Sequence, residues 1–242
     1  MINFIRKEKY GFRDLVEITK ILRSDEGCPW DREQTHKSIR MNFVEEVYEA
    51  CEAIDNEDAE LLLEELGDVL AQVVFHAELE SEVGRFDIDD VADGVCKKFI
   101  LRHPHVFGDV TADTSDEVLE NWDDIKRKEK SHNTHFSAMD SVARSLPALM
   151  RAEKLQSKAK KAGLLQKDIS ELSDSIKKEL DLGNDMNVGN ILLDVVRISR
   201  LLGVNPEQEL DSRNEKFLAE FKKLEDEDGE LSELLSRFSD KL

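Results

Sequence analysis

Five acids fall in two short groups, Glu45-Glu46-Val47-Tyr48-Glu49 and, fifteen residues later, Glu65-Leu66-Gly67-Asp68. At about 100° per helical residue, Glu46 and Glu49 share one surface, Glu45 sits beside Glu49, and Glu65 and Asp68 repeat the three-residue spacing. Two antiparallel helices can therefore present two carboxylate pairs to one another. Like charges one turn apart cost about 0.2–0.5 kcal/mol per exposed pair, and more where apolar neighbours lower the dielectric. Such a cluster calls for a cation. Hard oxygen ligands without adjacent cysteine or histidine favour Mg²⁺ or Mn²⁺ over zinc, and several carboxylates together can hold two ions for phosphoryl chemistry. Glutamate is also an ordinary surface residue in so acidic a chain, and spacing alone leaves that reading open.

Other residues with chemical potential are sparser. Trp30, in the segment Gly27-Cys28-Pro29-Trp30-Asp31, either stacks on a base or packs against the helices, and the sequence leaves both open. His103 and His105 flank Pro104 and read as turn residues; with His132 and His135 they form a weak alternative zinc set.

The elements that must position the acids are helical. Phe12, Leu15, Val16, Ile18, Ile21 and Leu22 predict an amphipathic helix over 11–24, broken at Gly27, Cys28 and Pro29 and followed by a loop to about residue 31. Phe43, Val44, Val47, Cys51 and Ile54 predict one apolar stripe over 34–54. Asp55 and Asn56 then make a turn short enough to set the next helix antiparallel. That helix, over 58–83, carries Leu62, Leu66, Leu70, Val73 and Ala77 on one face and Leu61, Phe75 and Leu79 on nearly the opposite one. A helix apolar on two sides is central to a bundle or lies at a subunit interface, so self-association is expected.

A helix over 87–102 should stop before Pro104, and Thr114 with Glu117 has capping-box spacing for one reaching about residue 130. Residues 131–143 are weakly periodic and rich in small polar side chains, which places a junction there between a first domain, 1–130, and a second, 144–242. In the second, Ser145 as N-cap with Pro147 just inside opens a helix ended by Gly163, and helices follow at 166–182, 187–202, 206–226 and from about Glu230. The stretch from Leu66 to Val74 aligns with Val188 to Val196, and Asp93 to Phe99 aligns with Asp211 to Phe217. The halves read as diverged copies of one helical unit.

Composition agrees with an all-α fold: 242 residues with only 11 glycines, 4 prolines and 6% aromatics, against 36% charged residues. The formal net charge of −20 repels phosphate backbones and anionic membranes, arguing against a nucleic-acid polymer or a lipid surface as partner. Cys28, Cys51 and Cys96 are odd in number and include no Cys-x-x-Cys pair, as expected of free thiols in a reducing compartment. The N-terminal residues lack an apolar signal region, so a cytoplasmic location is expected.

The two acidic groups resemble the Glu-Glu-x-x-Glu … Glu-x-x-Asp motif of the MazG nucleoside triphosphate pyrophosphohydrolases. Flanking segments agree with the family over about 140 residues: Gly27 to Asp31 with Gln34-Thr35-His36, Glu82 to Phe86, Arg102 to Gly108, and Ser145 to Leu149. The second half is similar to the family's second domain, more weakly. The resemblance implies two tandem all-α bundle units and a dimeric enzyme that hydrolyses an NTP or dNTP to monophosphate and pyrophosphate with Mg²⁺, clearing the nucleotide pool. It implies Glu46, Glu49, Glu65 and Asp68 as metal ligands, Glu45 as a neighbouring acid that orients water or ligand, and Lys98 and Arg102 as phosphate contacts. The second half departs from the motif, with Lys178-Glu179-Leu180-Asp181-Leu182 and Asn187-Val188-Gly189-Asn190 in the corresponding places. Amides and a lysine cannot replace carboxylates around Mg²⁺, so catalysis is expected in the first half alone. The alternative, a non-catalytic helical interaction module, would fit a chain whose two halves had both lost their acids.

Overall fold

In a computed structural model the chain is described for residues 4–112, 114–129, 134–164 and 167–228, which form helices and no strand. Helix α1 (Phe12–Arg23) forms where its stripe predicts and buries Val16 and Thr19, while Phe12 and Leu22 at its ends are exposed. The segment expected as a loop contains a short helix, α2 (Pro29–Glu33), with Pro29 at its first position. Helices α3 (Arg40–Asp55) and α4 (Ala59–Ser81) are joined by a turn in which Glu57 adopts a left-handed φ of 54° and Asp58 caps α4 by accepting from the amides of Glu60 and Leu61, both at 3.0 Å. The short turn makes them antiparallel, and their pairing is the most extensive in the fold.

The packing face of α3 is not the predicted stripe. Ala50 and Ala53 are its buried residues, whereas Val47 and Ile54 are 42% and 57% exposed. Axis separation is set by the side chains at the contact, so two alanines bring α3 close to α4 and turn the bulky stripe outward. Both apolar faces of α4 are partly covered. Phe75 and Leu79 are half-buried, with Arg23 of α1 stacked 5.1 Å from the Phe75 ring centre, while Leu66 and Leu70 are 54% and 40% exposed. The face carrying Leu62, Leu66, Leu70, Val73 and Ala77 is thus open at Leu66 and Leu70 and closed at Ala77, which is 2% exposed.

Helix α5 (Ile88–Arg102) begins with a reciprocal capping box between Asp87 and Asp90, and Arg13 of α1 pairs with Asp89 in its first turn at 2.8 Å. A single-turn helix, α6 (Pro104–Phe107), begins at Pro104. Thr114 and Glu117 exchange the expected capping bonds at 3.3 Å at the head of α7 (Ser115–Glu129).

Two compact units divide between Lys126 and Arg127, a few residues before the expected junction. That junction is also not wholly irregular: Thr134 accepts from the amide of Ser137 at 3.0 Å and opens α8 (His135–Asp140). In the second unit α9 (Ala148–Lys161) begins one residue after Pro147, which itself occupies the N-cap position expected for Ser145. Then come α10 (Ile169–Leu180), a 3₁₀ turn (Gly183–Asp185), α11 (Val188–Leu202) and α12 (Pro206–Asp228). Gly203 ends α11 at a φ of 75°, the left-handed cap that favours glycine. Leu172 and Val196 are fully buried between α10 and α11. The terminal helix expected from Glu230 lies outside the described residues.

Candidate functional site

Glu46 and Glu49 project from α3, one turn apart, toward Glu65 on α4. One carboxylate oxygen from each of the three lies within 4.8 Å of the others, the one such grouping of potential metal ligands among the described residues. Burial first, then the charge of Asp68 and a hydrogen-bond approach to Glu49, push the Glu46 carboxyl above its ordinary range. Glu65 is pushed the same way by burial first and then by Glu49, Asp68 and Glu64. Asp68 therefore sits close enough to act on both, although it is exposed and outside the tightest triplet.

One atom states the need of this cluster plainly. Glu65 is only 8% exposed, and its Oε2 is buried without any hydrogen-bond partner. A buried carboxylate oxygen with no donor is costly, and three neighbouring acids make it more so. A divalent cation bound by oxygens supplies what the oxygen lacks, so the donor set fits a hard cation.

Glu45 is exposed and outside the triplet. Lys98 is half-buried on α5. Arg102, one turn further, is 7% exposed, and its guanidinium lies 5.7 Å from the Trp122 ring centre of α7, a cation–π contact that engages it in packing. Trp30 is 60% exposed on α2. His103 turns back on its own helix, its Nδ1 2.6 Å from the Phe99 carbonyl; the zinc alternative also needs His132, which lies outside the described residues.

Sequence reasoning missed a polar network at the other end of α4. Glu80, 8% exposed, bonds His36 Nε2 at 2.6 Å and Arg85 Nε at 2.5 Å, and His36 Nδ1 meets His76 Nδ1 at 2.8 Å. Burial and the neighbouring His36 lower the His76 pKa. Arg23 adds a bidentate pair with Glu82, Nε to Oε1 at 2.5 Å and Nη2 to Oε2 at 2.8 Å. These contacts bind the residues before α3 to the last turns of α4.

In the second unit the residues aligned in sequence with the two acidic groups are bonded to one another. Glu179 of α10 accepts from the amide of Asn187 at 2.9 Å and from Asn190 Nδ2 at 2.7 Å, bonds that lower its pKa. Asn187 is also the N-cap of α11, accepting from the Asn190 amide at 3.1 Å. The Glu65 counterpart is thus a helix start, whereas Glu65 itself lies inside α4.

Residues 34–107 match the model of the MazG nucleotide pyrophosphohydrolase domain, a span holding all five acids. The chain is 39% identical to the nucleoside triphosphate pyrophosphohydrolase of Escherichia coli, over 87% of this chain and 86% of that protein. It is 41% identical to a nucleoside triphosphate pyrophosphohydrolase/pyrophosphatase of Thermotoga maritima, over 89% and 86%. An uncharacterised protein of Bacillus subtilis is 40% identical over 98% of this chain and 52% of its own length.

Proposed function

The chain belongs to the MazG family of nucleotide pyrophosphohydrolases, and from that membership we propose that it hydrolyses a nucleoside or deoxynucleoside triphosphate to the monophosphate and pyrophosphate. The observation that carries the reading is the unpartnered, buried Glu65 Oε2 within the Glu46, Glu49 and Glu65 triplet. Glu46, Glu49, Glu65 and Asp68 would hold Mg²⁺, with Mn²⁺ as a competent substitute, and the ion when bound offsets triphosphate charge and raises the acidity of water.

The remaining chemistry belongs to the chain. A water oxygen bonds to the α-phosphorus, the bond from that phosphorus to the bridging oxygen breaks, and pyrophosphate leaves with the electron pair. Glu45, exposed beside the cluster, is free to orient that water. Lys98 offers a point charge to the phosphates from α5, and Arg102 joins it if its guanidinium leaves Trp122. The exposed indole of Trp30 offers a stacking face to the base.

The second unit is proposed as a non-catalytic copy, since its one motif acid in the first position, Glu179, is already bonded to Asn187 and Asn190. A homodimer that covers the Val47, Ile54, Leu66 and Leu70 face completes the reading. Among the described residues no helix is long and apolar enough to cross a membrane, and three free thiols suit the cytoplasm. Pyrophosphate release from a panel of NTPs and dNTPs, with Mg²⁺ and with excess chelator, tests the activity. Monophosphate and pyrophosphate, formed only with metal, are expected; nucleoside diphosphate with orthophosphate, or indifference to chelator, overturns it.

A further inference from the structure

Helix α2 has five residues, too few to hold its shape alone, so something outside it must fix Trp30. Arg23 does this with every nitrogen of its guanidinium. Nε and Nη2 grip Glu82 at the end of α4, and Nη1 donates to two carbonyls at the end of α2, those of Asp31 at 2.5 Å and Gln34 at 3.3 Å. Carbonyls at a helix end are short of partners within it; that of Asp31 accepts from the Gln34 amide at 3.3 Å as well as from Arg23, so the arginine adds to the local cap. Its side chain is 6% exposed and rests on Phe75 at 5.1 Å, so the fork is held in one orientation.

The same short helix is pinned from its other end. The Cys28 amide donates to the Leu22 carbonyl at 2.7 Å, and a Cβ at Gly27 would stand 2.2 Å from the Ile21 carbonyl oxygen, a contact only glycine permits. Gln34 Nε2 donates to the Trp30 carbonyl at 2.8 Å and Ser38 Oγ to Gln34 Oε1 at 2.8 Å, carrying the order on to the start of α3. Helix α3 begins at Arg40, and six residues of helix rise, about 9 Å, separate it from Glu46. The clamped segment therefore ends within a nucleotide's length of the acids.

We propose that Arg23 is a positioning residue for the nucleobase side of the site: it seats the segment from Trp30 to Ser38 on α4 and thereby sets substrate affinity, without taking part in bond breaking. The proposal rests on the reading of Trp30 as a stacking face for the base. Lysine at position 23 keeps one charge but cannot bridge Glu82 and two carbonyls at once.

The test uses the full chain and the nucleotide turned over fastest in the panel. Arg23→Lys should raise KM about tenfold or more and leave kcat within about twofold, the pattern of lost uniform binding. Mn²⁺ affinity, titrated without nucleotide, should stay at the wild-type value. Glu82→Gln, which keeps Arg23 and weakens one side of the clamp, should move KM the same way by a smaller factor and decides the matter should Arg23→Lys not fold. Unchanged KM in the folded variants, a fall in kcat at constant KM, or loss of Mn²⁺ affinity overturns the proposal. Trp30→Ala separates the two readings: if it raises KM while the clamp variants do not, only the role of Arg23 fails; if it leaves KM unchanged, the stacking face fails and the role of Arg23 with it.

Discussion

Asn190 donates its side-chain amide to the Glu179 carboxylate at 2.7 Å, where the corresponding pair in the first unit, Asp68 and Glu46, are two acids. Where an amide stands in place of the aspartate, a repulsion gives way to a hydrogen bond. The carboxyl of Glu46 is held above its ordinary range and that of Glu179 below it, so two positions aligned in sequence are driven in opposite directions by their neighbours.

Restoring the acid should therefore restore the conflict. Asn190→Asp removes the donor and sets a second charge beside Glu179, and it should lower the melting temperature at neutral pH by a few degrees. Turnover should be unchanged, because the acids proposed to hold metal lie in the first unit. Glu179→Gln should likewise leave turnover near wild type, whereas Glu46→Gln should reduce it by at least about a hundredfold, the scale on which metal sites respond to lost partners. Thermal melts and steady-state rates on the three variants check this; wild-type turnover in Glu46→Gln moves the active site.

The metal-free protein should show an inverted acid response. Glu46 and Glu65 have folded pKa values raised above their unfolded ones, so their contribution is favourable below the unfolded carboxyl value and is lost as pH rises through the folded one. In chelator, wild type compared with Glu65→Gln should lose stability as pH increases from about 4.5 toward neutrality, and Mg²⁺ should close the gap between them. Melting temperature against pH, with and without Mg²⁺, measures it. A gap that is flat with pH removes the electrostatic account of the cluster.

Much of this was legible in the chain. The acids of α3 and α4 reveal themselves by spacing, because helical geometry converts a three-residue interval into a shared face. What spacing does not show is which face of α3 meets α4: Ala50 and Ala53 carry little apolar weight in a periodic pattern, yet their small size lets the helices close. The Arg23 clamp left no local signal, since its partners stand 8, 11 and 59 residues away. Helix α2 is five residues long and α6 four, below the length at which periodicity speaks, and α8 is announced only by the Thr134 cap.

His76 should give the opposite pH dependence. Burial first and then the neighbouring His36 depress its pKa, so its contribution is present above the unfolded value of about 6.5 and is lost as pH falls through the folded value. His76→Phe keeps the packing against Phe43, whose ring lies 5.5 Å away, and removes the titrating group. The difference in melting temperature between wild type and this variant should shrink as pH falls from about 7.5 to about 5.5. A difference that is constant over that range means His76 binds its proton equally in the folded and unfolded states, and the depressed pKa is rejected.

Self-association should depend on Leu66 and Leu70 and not on Phe75. Leu66 and Leu70 are 54% and 40% exposed on α4, one turn apart, and Val47 and Ile54 are exposed on the antiparallel α3. A patch of this kind is rare on a monomer and common where subunits meet. Phe75, by contrast, is half-buried beneath Arg23 of the same chain, so changing it should cost stability before assembly. Leu66→Glu with Leu70→Glu should convert a dimer to a monomer in sedimentation at micromolar concentration while far-UV circular dichroism remains helical. Phe75→Ala should stay dimeric and lose stability, by about 3–5 kcal/mol at most given its partial exposure, seen as a lowered melting temperature. A dimer that survives both glutamates places the interface on another surface.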